Sequence, residues 1–451
     1  MNKRNIYIYV LLAATTLGIT SCDKFLDIRP TGRVIAETGE EYRALLTTEY
    51  KNFPEDRGLV SFRSDEMTLD ASTTSSEDLS AFFDLWAWND QAPQATTVSL
   101  GWRRYYHAIY IANTLIANRY TMTQISESDR RQLVGEAYMM RAYCHFLLAN
   151  LYAPPYTTVR PDTARAVPLM LSADVNLVPK SSSLAEVYTQ VERDIDSAAI
   201  LMNKVEWPTG LNYRFNTIST QALKARLALY QADWTGALAA AQQVIAAHPA
   251  LEDLTLSSAL LPTSYKSAEN IVALEQVMTP TYARAGRVSD ELLALYRSGD
   301  RRKAHYFNAV SSTTTLLRKG GGGEQHSTFR SAEFYLIAAE AAARLGSLAQ
   351  ARDYLKTLMK KRYTAAFYTL HATAVDALSQ ADLINYIYDE RARELAFEGH
   401  RWFDLRRTTR PLLQKTYGTN TYTLAPNDRR YTLRFPTEAL EANPGIEKLE
   451  H

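Results

Sequence analysis

Cysteine is nearly absent from this sequence: Cys22 and Cys144 are the two in 451 residues. Once Cys22 is committed to the modification argued below, neither an intramolecular disulfide nor a cysteine-rich metal site can form. Cys144 sits in an apolar helical pattern beside Tyr143 and Phe146, the setting of a buried structural thiol. The histidines, at 107, 145, 248, 305, 326, 371, 400 and 451, are scattered with no HExxH and no pair at ligand spacing, so neither metal nor cofactor is expected. No GxSxG elbow and no cysteine–histidine arrangement marks a nucleophile. The glycines at 320–323 follow Lys319 without the GK[ST] ending of a phosphate loop and read as a mobile loop. An excess of charge is missing too. With residues 1–21 removed, Lys3 and Arg4 leave the 50 basic residues and none of the 49 acidic ones is lost, which argues against nucleic acid or anionic lipid as the main partner.

What is present begins at the N-terminus. Lys3 and Arg4 precede an uncharged, proline-free stretch from Ile6 to Thr20. As a helix it would span roughly 22 Å, too short to cross a ~30 Å hydrocarbon core permanently, so residues 1–21 read as a secretory signal. Ile19-Thr20-Ser21-Cys22 resembles the lipobox of bacterial lipoproteins, which makes Cys22 the expected lipidated first residue of the mature chain. Past residue 22, nothing looks like a transmembrane span.

Helix is the dominant periodic signal. Residues 99–120, 128–152, 183–202, 219–247, 331–362 and 379–407 place apolar residues three and four apart, each opening near a serine suited to an N-cap. Two of these segments resemble one another. Aligning Ala237 with Ala351 sets Ala225 against Ala339, Ala228 against Ala342 and Val244 against Leu358, with turns at Gln231–Trp234 and Arg344–Ser347. Small residues at such places of a unit of about 34 residues let two antiparallel helices approach closely, the tetratricopeptide pattern. The copies are not in tandem, so other material separates them. That material, residues 49–98, 153–182, 250–330 and 408–451, reads as loop-rich inserts, with a hairpin over residues 417–436 turning at Pro426-Asn427-Asp428. The expected fold is therefore mostly α, tetratricopeptide-like helix pairs in a right-handed scaffold with long loop-rich inserts and a few short β-hairpins.

Glu390, Glu394 and Glu398 lie one turn apart and would suit paired carboxylates, but Arg391, Arg393 and Arg401 interleave with them and Asp404. Pairing lowers a carboxylate pKa, so the reading is a packed ionic latch, not a general acid. Aromatics are the positive sign for binding, with 28 Tyr and 6 Trp. Trp86 and Trp88 share one side of an extended chain, next to Asn89, and an indole face covers a sugar ring while neighbouring amides take its hydroxyls. Tyr265, Tyr282, Tyr296 and Tyr306, in the insert before the glycine run, complete the candidate ligand-binding set. The competing role for rings of this size is to fill a core.

Four stretches resemble the SusD/RagB family of outer-membrane nutrient-binding lipoproteins: residues 22–30 (CDKFLDIRP), 136–152, 330–341, and 387–407 (IYDERARELAFEGHRWFDLRR) followed by Phe435-Pro436-Thr437-Glu438 and Asn443-Pro444-Gly445. The resemblance implies one domain over residues 22–451, lipid-anchored in the outer membrane through Cys22 and facing the cell exterior. It also implies capture of an oligosaccharide or oligopeptide among the inserts, and a partner, a TonB-dependent SusC-like outer-membrane transporter on which the protein acts as a lid. The chain is short for that family, which implies trimmed inserts. Two other readings stand beside it: a helical-repeat lipoprotein scaffolding envelope assembly, which predicts a bare concave groove, and a surface glycosidase.

Overall fold

A computed structural model describes residues 36–312 and 314–446; the signal segment, Cys22 and the opening motif at 22–30 lie outside them. The longer helices are α1 (Gly39–Lys51), α2 (Ser76–Trp86), α3 (Trp102–Ala117), α4 (Glu127–Tyr152), α5 (Leu184–Leu201), α6 (Thr217–Gln231), α7 (Trp234–Ala247), α8 (Ser331–Arg344), α9 (Leu348–Lys360), α10 (Ala365–Asp376), α11 (Gln380–Glu394) and α12 (Arg401–Arg407). Serine caps two of the six expected starts where the sequence put it: Ser183 closes a capping box with Glu186, and Ser379 accepts from the Asp382 amide. Elsewhere Ser126 and Asn216 do the capping, and the Ser331 hydroxyl instead donates to the His248 carbonyl.

Consecutive helices pack in pairs, α3 on α4, α4 on α5, α6 on α7 and α8 on α9, and α8 also packs on α7 and α11. The small residues of the internal repeat explain the last two pairs. Ala225, Ala237, Ala339, Ala342 and Ala351 are all fully buried, so the helix backbones meet without bulky side chains between them. The turns come where expected: Ala232 adopts a left-handed φ of 57° between α6 and α7, and Gly346 one of 81° between α8 and α9.

The expected helix over 379–407 is broken after Glu394. Phe397 and Gly399 take φ of 61° and 72°. The Phe397 amide donates to Glu66, and a Cβ on Gly399 would collide with the Arg57 carbonyl, so the break lets this segment dock on the first insert. The inserts are less loop-like than their composition suggests. Residues 49–98 contain α2, and 250–330 contain helical turns Pro280–Ala285, Asp290–Leu295 and Arg302–Tyr306. These build their own apolar core, with Phe62, Phe82, Trp86, Tyr306, Phe307 and Phe397 in it, separate from the scaffold core around Leu336, Leu355, Leu358 and Leu383.

Two loop expectations are corrected. The hairpin pairs Leu413–Tyr417 with Asn420–Leu424 and turns at Gly418-Thr419, not at Pro426-Asn427-Asp428. Gly418, with φ of 60°, supplies the left-handed first position that a two-residue turn needs. The glycine run is docked: the Gly321 amide donates to the Met278 carbonyl, and Gly320 lies so close to the Val277 carbonyl that a side chain has no room. Lys319 beside it is buried against Glu398.

The ionic latch exists, with partners the helical spacing did not reveal. Glu394 accepts from Arg302, Arg330 and Arg362, and Glu390 from Arg302 and Arg393. Glu398 accepts from Arg330, Arg391 binds Asp404, and Arg401 reaches away to Asp65. Burial pushes the Glu390 carboxyl up, but the Arg302 and Arg393 charges outweigh it and hold the group at about 2.

Candidate functional site

An open cleft among the described residues has a volume of about 880 Å³, within the range of ligand sites. Three segments far apart in sequence build it: residues 65–72, 287–291 and 411–418. Met67 and Thr68 pair antiparallel with Val288 and Arg287, which fixes the first two walls to one another. Ser289 then caps the turn Asp290–Leu295, accepting from the Leu292 amide and donating its hydroxyl to the Asp65 carbonyl. The third wall is the first strand of the hairpin. Its alternation turns Leu413 and Lys415 inward and Gln414 and Thr416 out.

The polar groups divide into those already satisfied and those left open. Asp65 takes two hydrogen bonds from Arg401, at 2.8 and 2.7 Å; burial raises its pKa, but the guanidinium outweighs burial and holds it below the usual carboxylate value. Asp70 accepts from the Ser72 hydroxyl and amide, which lower its pKa. Next to Asp65, Glu66 is sealed inside, and burial lifts it to about 7 despite the Phe397 amide. By contrast Asp290, Glu291, Gln414 and Thr416 are exposed, and their side chains make no hydrogen bond or ion pair to another described residue. Two carboxylates, an amide and a hydroxyl thus face one open volume, a set that accepts and donates to hydroxyl groups.

Lys415 explains where the expected indoles went. Its ammonium is buried, donates to the Phe62 and Trp86 carbonyls, and lies 4.4 Å from the Trp88 ring centre and 5.5 Å from that of Trp86. Burial, with Arg63 nearby, depresses its pKa well below the ordinary lysine value. Trp86 and Trp88, 0% and 1% exposed, are therefore the walls of a lysine cage and offer no face to a ligand. The reason is local. Residues 76–86 form a helix, not an extended strand, and Trp86 falls on its inward face with Phe82 and Leu85. Trp88 then turns back at φ of 56° to donate its indole N–H to the Arg63 carbonyl.

The remaining expected residues scatter. Tyr296 is buried with its hydroxyl donating to the Arg393 carbonyl, and Tyr306 is buried under Lys319, so both are core rings and not ligand platforms. Tyr282 is half-buried edge-on to Phe62 and Phe82. Tyr265 is half-exposed beside Lys266. Asn89 is exposed but lines a different cleft. The first cleft holds none of these seven residues. The sequence did carry a signal for the ones that line it: Ser289-Asp290-Glu291 is a helix-start signature, and residues 413–416 alternate with period two. The half-buried Tyr417, between cleft residues Thr416 and Gly418, is the aromatic nearest in sequence to the open groups, and its ring packs edge-on to Phe83 and Trp86.

Two family models match the chain. One, described as the SusD family, covers residues 299–443, and the other, described as starch-binding and associating with the outer membrane, covers residues 24–229. The curated SusD-like protein P38 of Formosa agariphila is 23% identical over 488 aligned positions, taking in 90% of this chain and 92% of that protein. A solved SusD superfamily protein from Bacteroides thetaiotaomicron superposes with a TM-score of 0.77 at 19% identity, over 92% of this chain and 100% of that one. A laminarin-binding SusD-like protein superposes with a TM-score of 0.67 at 19% identity, over 91% and 99%. The likeness to these structures concerns the helical fold.

Proposed function

The chain belongs to the SusD/RagB family of Bacteroidetes, and from that membership we propose that it is a non-catalytic, glycan-binding lipoprotein of the outer-membrane surface. Acylation of Cys22 anchors it, and a TonB-dependent SusC-like transporter is its partner, with this protein acting as the lid. The observation that carries the reading is the convergence of three distant segments on one cleft whose Asp290, Glu291, Gln414 and Thr416 are unspent. The match to a starch-binding family and the likeness to a laminarin-binding protein support a glycan over a peptide there.

Bond cleavage finds no support in this cleft. Glycoside hydrolysis needs a carboxyl kept protonated beside the scissile bond. The buried carboxyls raised to about 7, Glu66 and Asp56, are closed off from solvent and committed to the Phe397 and Gly101 amides. A binding lid needs only modest affinity, since release must follow capture, and ligand shifts the lid only by its preference for the closed state. Titration of laminarin and other neutral glycans against the mature chain and its Asp290→Ala/Glu291→Ala variant tests the site: affinity should fall about tenfold or more. Equal affinity in both would move binding elsewhere. Purification of the native protein from outer membranes without any large barrel would remove the transporter half of the reading.

A further inference from the structure

A second cleft, of about 640 Å³, lies between the loop that follows α2 and the segment entering the terminal turn Thr437–Ala442. Its chemistry differs from that of the first. The floor is apolar, made by Leu85, Val98, Leu100, Phe435 and Leu440. Gln91 and Gln94 stand on one rim and Arg434 and Glu438 on the other, all four exposed and with side chains that make no hydrogen bond or ion pair to another described residue; the Gln94 main chain is held by Asp84 and Thr97. Arg434 and Glu438 cancel in charge; of the two other carboxylates lining the cleft, Asp90 is paired with Arg63 and the buried Asp84 accepts from the Asn89 side chain, the Gln94 amide and the Thr97 hydroxyl, so the exposed rim is left without an excess of either sign.

The main chain of this wall is the second observation. Residues 433–435 lie between Thr432 (φ −111°, ψ 129°) and Pro436 (φ −57°, ψ 140°), both in the open region of the backbone map, and belong to no helix or sheet. The Leu433 amide donates to the Leu151 carbonyl, and the Pro436 carbonyl accepts from Ala439 and Leu440. Between them, the N–H and C=O groups of Arg434, which is exposed, and of Phe435, whose ring is in the floor, make no hydrogen bond with any described residue. An unpaired segment beside an aliphatic floor has the features of a strand awaiting a neighbour.

We propose that this cleft docks an extended, uncharged segment of a partner polypeptide. The incoming segment adds main-chain hydrogen bonds to Arg434 and Phe435, sets alternate aliphatic side chains on the floor, and offers intervening polar groups to Gln91 and Gln94. A sugar is disfavoured because the rings lack a free face: Phe435 packs against Trp102 at 5.4 Å and Tyr152 at 6.1 Å between ring centres. The test uses the mature chain on an immobilised library of acetylated, amidated octapeptides in which Val, Leu or Ile alternates with Ser, Thr or Asn, with laminarin beads in parallel. Peptide retention is expected, with exchange of the Arg434 and Phe435 amides slowed at least tenfold. Leu440→Arg, which charges the floor, and Gln91→Ala/Gln94→Ala should each weaken retention at least tenfold, while Asp290→Ala/Glu291→Ala leaves it unchanged. Should Leu440→Arg not fold, as judged by thermal unfolding, the exposed glutamine pair decides alone. No retention of any peptide, retention unchanged in the folded variants, or protection of Arg434 and Phe435 by laminarin and not by peptide would overturn the proposal.

Discussion

Glu394 and Glu291 are the same side chain in opposite surroundings. Glu394, fully buried, has its two oxygens shared among three guanidiniums, and Glu269 bridges two of those to one another. Glu291, exposed on the cleft rim, has none. The difference separates two meanings of a conspicuous carboxylate. Where every lone pair is filled from within, the group ties segments distant in sequence, here the third insert, the turn after α9 and α11, and holds the break after α11 in place. Where the lone pairs are open, the group is available to something from outside. Motif strength runs the other way: the dense Glu–Arg stretch is the stronger pattern in the sequence and is structural.

Breaking the filled side should produce the largest effects. Glu394→Ala strands Arg302, Arg330 and Arg362 without their shared counter-ion, and loss of one member of a buried pair costs about 3–5 kcal/mol. Urea unfolding should place this variant at or beyond the upper end of that range. A loss below about 1 kcal/mol would mean that the arginines find other partners. Trp88→Ala comes next, at about 3–4 kcal/mol, since it empties a core site and opens the cage over Lys415. If Trp88 were a ligand platform, the same variant would keep its stability and lose only affinity.

The helical scaffold was legible because its evidence is local and periodic. Ala225 and Ala228 against Ala339 and Ala342 announced close helix pairs, and the helices follow. The site was not, for three separate reasons. Trp86 and Trp88 share one side only on an extended chain, but Ser75 caps a helix there and turns the first indole inward. Tyr296 and Tyr306 have polar tips that suggest a surface, yet one donates to a backbone carbonyl inside the core and the other lies under a buried lysine. The cleft itself is assembled from residues 65–72, 287–291 and 411–418, a juxtaposition that no local pattern encodes. Only the alternation of Leu413 to Thr416 and the cap at Ser289 could have hinted at which side chains remain outside.

Acidity sharpens the comparison, because buried carboxyls of the two kinds respond to pH with opposite sign. Glu390 is held at about 2 by arginines, so its contribution is complete above the ordinary value of 4.5 and is lost as pH falls through 2. Glu66 is raised by burial to about 7. Between pH 4.5 and 7 the folded state holds a proton that the unfolded chain has released, so stability falls as pH rises through that window and levels off above it. Asp56, also raised to about 7, adds a loss of the same sign beginning near its ordinary 3.8. Glu66→Gln should remove its share, up to about 3 kcal/mol, from the decline, read as unfolding midpoints across pH 4–8. An unchanged slope would mean that Glu66 is ionised and satisfied in the fold.

The smallest expected effect on stability is the most informative for function. Asp290 and Glu291 stand on the first turn of a short helix whose start is already fixed by Ser289, so the pair contributes only a weak interaction with the helix N-terminus. Asp290→Ala/Glu291→Ala should shift the unfolding free energy by no more than about 0.5 kcal/mol in urea. A stable variant with weakened glycan binding would place the two carboxylates wholly on the ligand's side of the comparison. A loss of 2 kcal/mol or more would show that they belong with Glu394 after all, holding the cleft walls together, and the unspent groups of the cleft would reduce to Gln414 and Thr416.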